Sequence, residues 1–169
     1  MLLALVIIAG TMAAQPGGQM APATLKLKPL ATTTSNAAVS PSTLTFTASN
    51  PDTSPTVAAS AVVSWKSTAS SFGATWNLKV SAPASFNSCS TIPASAVTVS
   101  CTAVTGGSNR TCGTSTGLST TPTQIANGTE PFLTATSYSV TLNFTLQDSW
   151  KYIASSSCSL SVTYTITGN

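Results

Sequence analysis

At 169 residues the chain is the size of one domain able to bury a working core, and only 5% of it is charged, six Lys/Arg against three Asp/Glu. It has no His, which excludes Ser-His-Asp and Cys-His nucleophilic machinery. Its net charge of +3 is spread over single lysines and Arg110, whereas nucleic-acid binders cluster their basic residues, so no nucleic-acid partner is expected.

In chain order, residues 1–14 (MLLALVIIAGTMAA) hold an apolar run followed by small residues, the pattern of a secretory signal. The run is shorter than the ~20 residues a membrane span needs, so the mature chain is expected to have none. Residues 15–23 read as a flexible leader and residues 24–169 as one β domain. Residues 24–30 alternate and then meet Pro29, which predicts an edge strand, with Lys26 and Lys28 on its solvent face. Residues 31–42 read as a linker. Further strands are predicted over 43–48, 61–66, 75–81 and 97–103, where apolar residues recur at every second position. Residues 105–131, rich in Gly, Ser, Thr and Asn, hold no sustained pattern and read as a loop pegged by Leu118 and Ile125.

The clearest signal comes last. Tyr138, Val140, Leu142, Phe144 and Leu146 alternate with polar residues, and so do Cys158, Leu160, Val162, Tyr164 and Ile166. Gln147, Asp148 and Ser149 supply turn chemistry between them, so the two runs read as a closing hairpin. About seven strands with no credible mature helix predict an all-β fold, an antiparallel immunoglobulin-like sandwich, with a small closed barrel as the alternative.

Cys89, Cys101, Cys112 and Cys158 in an exported chain imply two disulfides, a secreted or cell-surface address and an oxidising compartment. Cys89 and Cys101 bracket a turn, which favours Cys89–Cys101 with Cys112–Cys158. A rival reading pairs Cys101 with Cys158, since both share the inward phase of their strands. No C-x-x-C occurs, and the only acidic side chains are Asp52, Glu130 and Asp148, so no metal, cofactor or catalytic site is expected.

Asp52 and Asp148 sit in turn sequences where Asp binds backbone amides. Trp65 and Trp76 share the inward phase of their strands and read as core. Trp150 and Tyr152 fall beside a turn and are the candidate ligand-binding aromatics, an amphipathic pair able to meet a sugar face. The triplets beginning at Asn109, Asn127 and Asn143 fit the N-glycosylation pattern, which a chain so rich in Ser and Thr produces by chance.

Trp76-Asn77-Leu78 resembles the first W-x-L motif of the WxL domain of bacterial cell-surface proteins, and residues 138–148 (YSVTLNFTLQD) are similar to that family's closing strand, with Phe144 where the second Trp belongs. The likeness spans about residues 60–148; four cysteines and a further strand beyond residue 148 depart from the family pattern. It implies an exported β-sandwich associating non-covalently with the cell wall. The expectation is therefore a non-enzymatic structural or adhesive surface protein that contacts cell-wall polysaccharide or another surface protein, or self-associates through sheet edges. The alternative is a carbohydrate-binding module.

Overall fold

The computed structural model describes residues 23–31, 35–46, 50, 52, 56–150, 152 and 158–168. The expected signal and all but the last residue of the leader lie outside the described residues, as do the side chains of Lys26 and Lys28. In chain order the strands are β1 (Ala23–Ala31), β2 (Ser35–Ser40), β3 (Thr43–Phe46), β4 (Thr56–Ser67), β5 (Thr75–Ser81), β6 (Ser85–Phe86), β7 (Cys89–Pro93), β8 (Val97–Thr105), β9 (Ser108–Cys112), β10 (Thr116–Gly117), β11 (Thr123–Thr129), β12 (Thr136–Gln147) and β13 (Ser159–Gly168). Among the described residues the one helical piece is a 3₁₀ turn, Ala94–Ala96, and no helix is long and apolar enough to cross a membrane.

Six strands form one sheet, ordered β3-β1-β13-β5-β11-β9; five form a second, ordered β10-β8-β12-β4-β2; β6 pairs β7 apart from both. The alternating residues named above supply the inner faces. Tyr138 through Leu146 at every second position are at most 2% exposed, and so are Leu160, Val162, Tyr164 and Ile166. Each such side chain stabilises the fold by roughly 1.5–3 kcal/mol through apolar area removed from water. Aromatic rings close the gap between the sheets. Trp65 of β4 stacks on its cross-strand neighbour Tyr138 of β12 at 5.3 Å, and Trp76 of β5 meets both edge-on at 5.1 and 5.8 Å. Gly128 of β11 lies opposite Trp76, where any Cβ would stand 2.8 Å from the indole.

Two expectations about neighbouring strands are corrected. The runs at 138–146 and 158–166 do not form a hairpin: β12 lies in the five-stranded sheet and β13 in the six-stranded one, each with neighbours on both sides. Alternation shows which face of a strand is buried and says nothing about which strand lies beside it. The strand holding Pro29 is no edge either, since β1 runs between β3 and β13. Pro29 is tolerated because β3 pairs only Ala23–Lys26, which leaves the second half of β1 bonded to a strand on one side alone. The β1–β13 pairing is also parallel, the exception among otherwise antiparallel strand pairs.

The stretches read as linker and loop hold β2, β9, β10 and β11. In β11 a register shift between Gln124 and Ala126 buries the consecutive Ile125 and Ala126, which erases the alternation. A second bulge in β8, between the pairs Ala103–Thr141 and Cys101–Leu142, keeps Val104 against the core after Val97 and Val99. Leu118 and Ile125, the expected pegs, are 1% and 0% exposed.

Candidate functional site

The disulfides join Cys89 to Cys158 and Cys101 to Cys112, the one pairing of three that neither sequence argument favoured. Cys89 opens β7, which lies beside the start of β13 through the Asn87–Ser159 bridge, and this places its Cα 5.4 Å from that of Cys158. Cys101 and Cys112 sit on β8 and β9, joined by the two-residue corner Gly106–Gly107, with Cα atoms 5.3 Å apart. Sharing an inward phase failed as a pairing rule because phase does not say which strands face each other: across from β8 lies the edge strand β9, which carries Cys112, whereas Cys158 precedes β13 in the middle of the six-stranded sheet. Sequence proximity failed because β8 carries Cys101 away from Cys89.

The strands' connections sort into two ends of the sandwich. At one end β12 passes to β13, β3 to β4 and β5 toward β8; at the other β4 passes to β5, β8 to β9 and β11 to β12. The candidate aromatics lie at the first. Trp150 is 46% exposed, and its Nε1 donates to Asp52 Oδ1 at 2.9 Å, which holds the ring of one connection against another. Asp52 is placed by its own turn, its backbone N–H donating to Asn50 Oδ1 at 2.9 Å. Asp148 is buried, and its Oδ1 accepts from the Ser149 N–H at 2.7 Å, the turn role expected of it. Tyr152 is half-buried and packs against the core instead of standing out with Trp150. Burial raises its phenol pKa, and the Asp148 carboxylate adds to the rise.

Also at this end is a groove of about 540 Å³. It opens where the chain after β5 leaves β13 at Ser81–Thr163 and rejoins it at Asn87–Ser159. Ser85, Asn87, Ser88, Ser90, Ser159 and Ser161 line it with hydroxyls and an amide, and no charged side chain takes part.

The other end carries features that the alternation does not report. Phe72, in the β4–β5 connection, is 83% exposed and its ring lies 3.9 Å from that of Phe132 of the β11–β12 connection, tilted by 31°; Leu133 beside it is 68% exposed. Ala69 bridges Phe132 and accepts a hydrogen bond from the Leu133 N–H at 3.0 Å, which clips the two connections together. Beneath them Ser67 donates to Glu130 Oε1 at 2.8 Å, and both residues are buried. Their sequence signal was weak: an aromatic in a Ser/Gly loop and an apolar pair after Pro131.

Two phenols in the core are held protonated. Tyr164 is fully buried, and burial pushes its pKa well above 10.0; burial, then the Glu130 charge, raises Tyr138, with the Ser67 and Thr136 hydroxyls opposing. An unfolded chain releases the Tyr164 proton near pH 10.0, whereas the native fold keeps it. Stability from this residue is therefore present below that pH and is lost as pH rises above it. The unfolding temperature, followed by circular dichroism, is expected to fall more steeply in alkali than that of Tyr164→Phe.

No family model matches the chain, and no curated protein matches it. The residues themselves carry the functional reading.

Proposed function

We propose that this chain is an exported, non-catalytic adhesive module of a cell surface, built on an immunoglobulin-like sandwich, that holds neutral polysaccharide at its Trp150 end. The observation that carries the reading is Trp150 itself. It is a half-exposed ring held by the hydrogen bond that its indole N–H donates to Asp52, so little side-chain freedom is lost when a sugar face settles on it. The uncharged hydroxyl groove at the same end supports it, because a neutral polyol finds hydrogen-bond partners there and an ionic ligand finds no counter-charge. The disulfides fit an extracellular or otherwise oxidising compartment. The resemblance to the WxL domain adds the cell wall as the source of the polysaccharide.

Retention on insoluble peptidoglycan and on a panel of polysaccharides tests this reading. Wild type is expected to be retained on at least one, and Trp150→Ala to lose about tenfold in affinity, the scale of one lost aromatic contact. Asp52→Ala, which frees the ring without removing it, should lose less. A wild type that passes through every matrix overturns the reading.

One observation favours a second reading, assembly through a sheet edge. β9 ends the six-stranded sheet, and the side chains of Ser108, Asn109, Arg110 and Thr111 along it are all exposed. Such an edge invites strand addition by another copy. Sedimentation velocity across a concentration series decides it: a species that stays monomeric throughout removes this reading.

A further inference from the structure

Independently of the polysaccharide reading, we propose that the opposite end of the sandwich docks on an anionic phospholipid surface, with Phe72, Phe132 and Leu133 entering the acyl boundary and Lys66 meeting the phosphates. Large side chains at 83% and 68% exposure, brought together from two separate connections, are unusual in a fold that buries almost every other large apolar residue described. They are also held in place. The Phe72–Phe132 ring contact and the Leu133–Ala69 hydrogen bond tie the two connections, and Leu133 keeps φ at +52°, a left-handed conformation uncommon for an aliphatic residue. That strain is retained at a position where burial gives nothing back to the isolated protein.

The charge at this end selects the occupant. Lys66 is exposed and lines a shallow groove of about 220 Å³ with Ser64 and Ser137, one cation and two hydroxyls of the kind that bind a phosphate oxygen. Arg110, also exposed, lies near the same end on β9. Among the described residues no acidic side chain is exposed there, since Glu130 is buried against Ser67 while Asp52 and Asp148 belong to the far end. An apolar tip with two exposed cations near it, Lys66 and Arg110, and no exposed acid among the described residues complements a bilayer whose headgroups are anionic and whose interior is hydrocarbon. A second copy is a poor occupant by the same reasoning. It would set Lys66 and Arg110 against their own kind, and three apolar side chains fall far short of the ~800 Å² per partner that a stable dimer buries.

Cosedimentation of the full chain with vesicles tests the proposal, comparing phosphatidylglycerol–phosphatidylcholine mixtures with phosphatidylcholine alone. Binding is expected on the anionic vesicles only, weakening as salt screens the headgroups. Phe72→Ser with Leu133→Asn should reduce it about tenfold or more, and Lys66→Gln should reduce it less. Asn suits the left-handed backbone at 133, so the double variant is expected to melt no lower than wild type, which separates lost docking from lost folding. The proposal is overturned if the double variant sediments with anionic vesicles as well as wild type does. Equal binding to phosphatidylcholine alone overturns it too, as does a dimer in solution that the double variant abolishes.

Discussion

Replacing Cys89 and Cys158 together by serine is expected to lower the unfolding temperature by about 10 °C, more than the same change at Cys101 and Cys112. The two bridges differ in the length of chain that they close. Cys89 and Cys158 are 69 residues apart, and Cys101 and Cys112 are 11 apart. A cross-link restricts the unfolded chain more as its loop lengthens, which puts the long bridge at about 4 kcal/mol and the short one at about 3. Position widens the gap. Cys89 and Cys158 are 3% and 0% exposed within the core, so serine also buries two hydroxyls there; Cys101 and Cys112 are only half-buried. The long bridge further ties β13, a central strand of the six-stranded sheet, to the excursion between β5 and β8 that forms the groove. Differential scanning calorimetry of the two double-serine variants makes the comparison. Graded dithiothreitol is expected to open Cys101–Cys112 first, read by alkylation and mass spectrometry. Equal melting temperatures for the two variants would count against the pairing and its energetic ranking alike.

The inner faces of this fold were legible in the sequence because strand geometry puts every second side chain on one side. Residues 138–146, 158–166 and 75–81 alternate cleanly, and their rows are buried as expected. Neighbour relations were not legible. The β12–β13 connection looks like a hairpin turn in composition, yet it passes from one sheet to the other. Whether a turn stays within a sheet depends on backbone geometry that Asp148 and Ser149 do not specify alone. The cysteine pairing failed for the same reason, since phase is a property of one strand and a disulfide is a property of two. β11 was lost to its bulge, where Ile125 and Ala126 stand side by side in the core. At the candidate site, Trp150 was found through its place beside a turn. Its anchor Asp52 lies 98 residues away in the chain, and only the fold brings them together. The Phe72–Phe132–Leu133 tip was missed because it depends on two connections meeting, and neither shows a period.

Gly106→Ala is expected to cost about 3 kcal/mol, whereas Gly73→Ala costs about 1 kcal/mol, although both glycines have positive φ. Gly106 and Gly107 make the corner by which the chain leaves β8 in one sheet and enters β9 in the other, with φ of +82° and +70°. A Cβ on Gly106 would collide with the Ser137 carbonyl oxygen and stand 3.0 Å from the Tyr138 ring; one on Gly107 would collide with the Thr129 carbonyl oxygen. These obstacles are backbone atoms of β12 and β11 and a ring already stacked on Trp65, so no flexible side chain can swing aside. The corner therefore has to open, pulling β9 from β11, because moving the Tyr138 ring alone would leave the clash with the Ser137 carbonyl in place. At Gly73, with φ of +73°, an added Cβ meets nothing within 4 Å, so only the left-handed conformation is penalised. The pair therefore separates close approach from backbone preference, because both lose the same glycine entropy in the unfolded state. Urea denaturation of the two variants supplies the numbers. If Gly106→Ala proves no costlier than Gly73→Ala, the corner is looser than described, and β9 is held to the sandwich by Cys101–Cys112 and its pairing with β11, not by the seating of Tyr138.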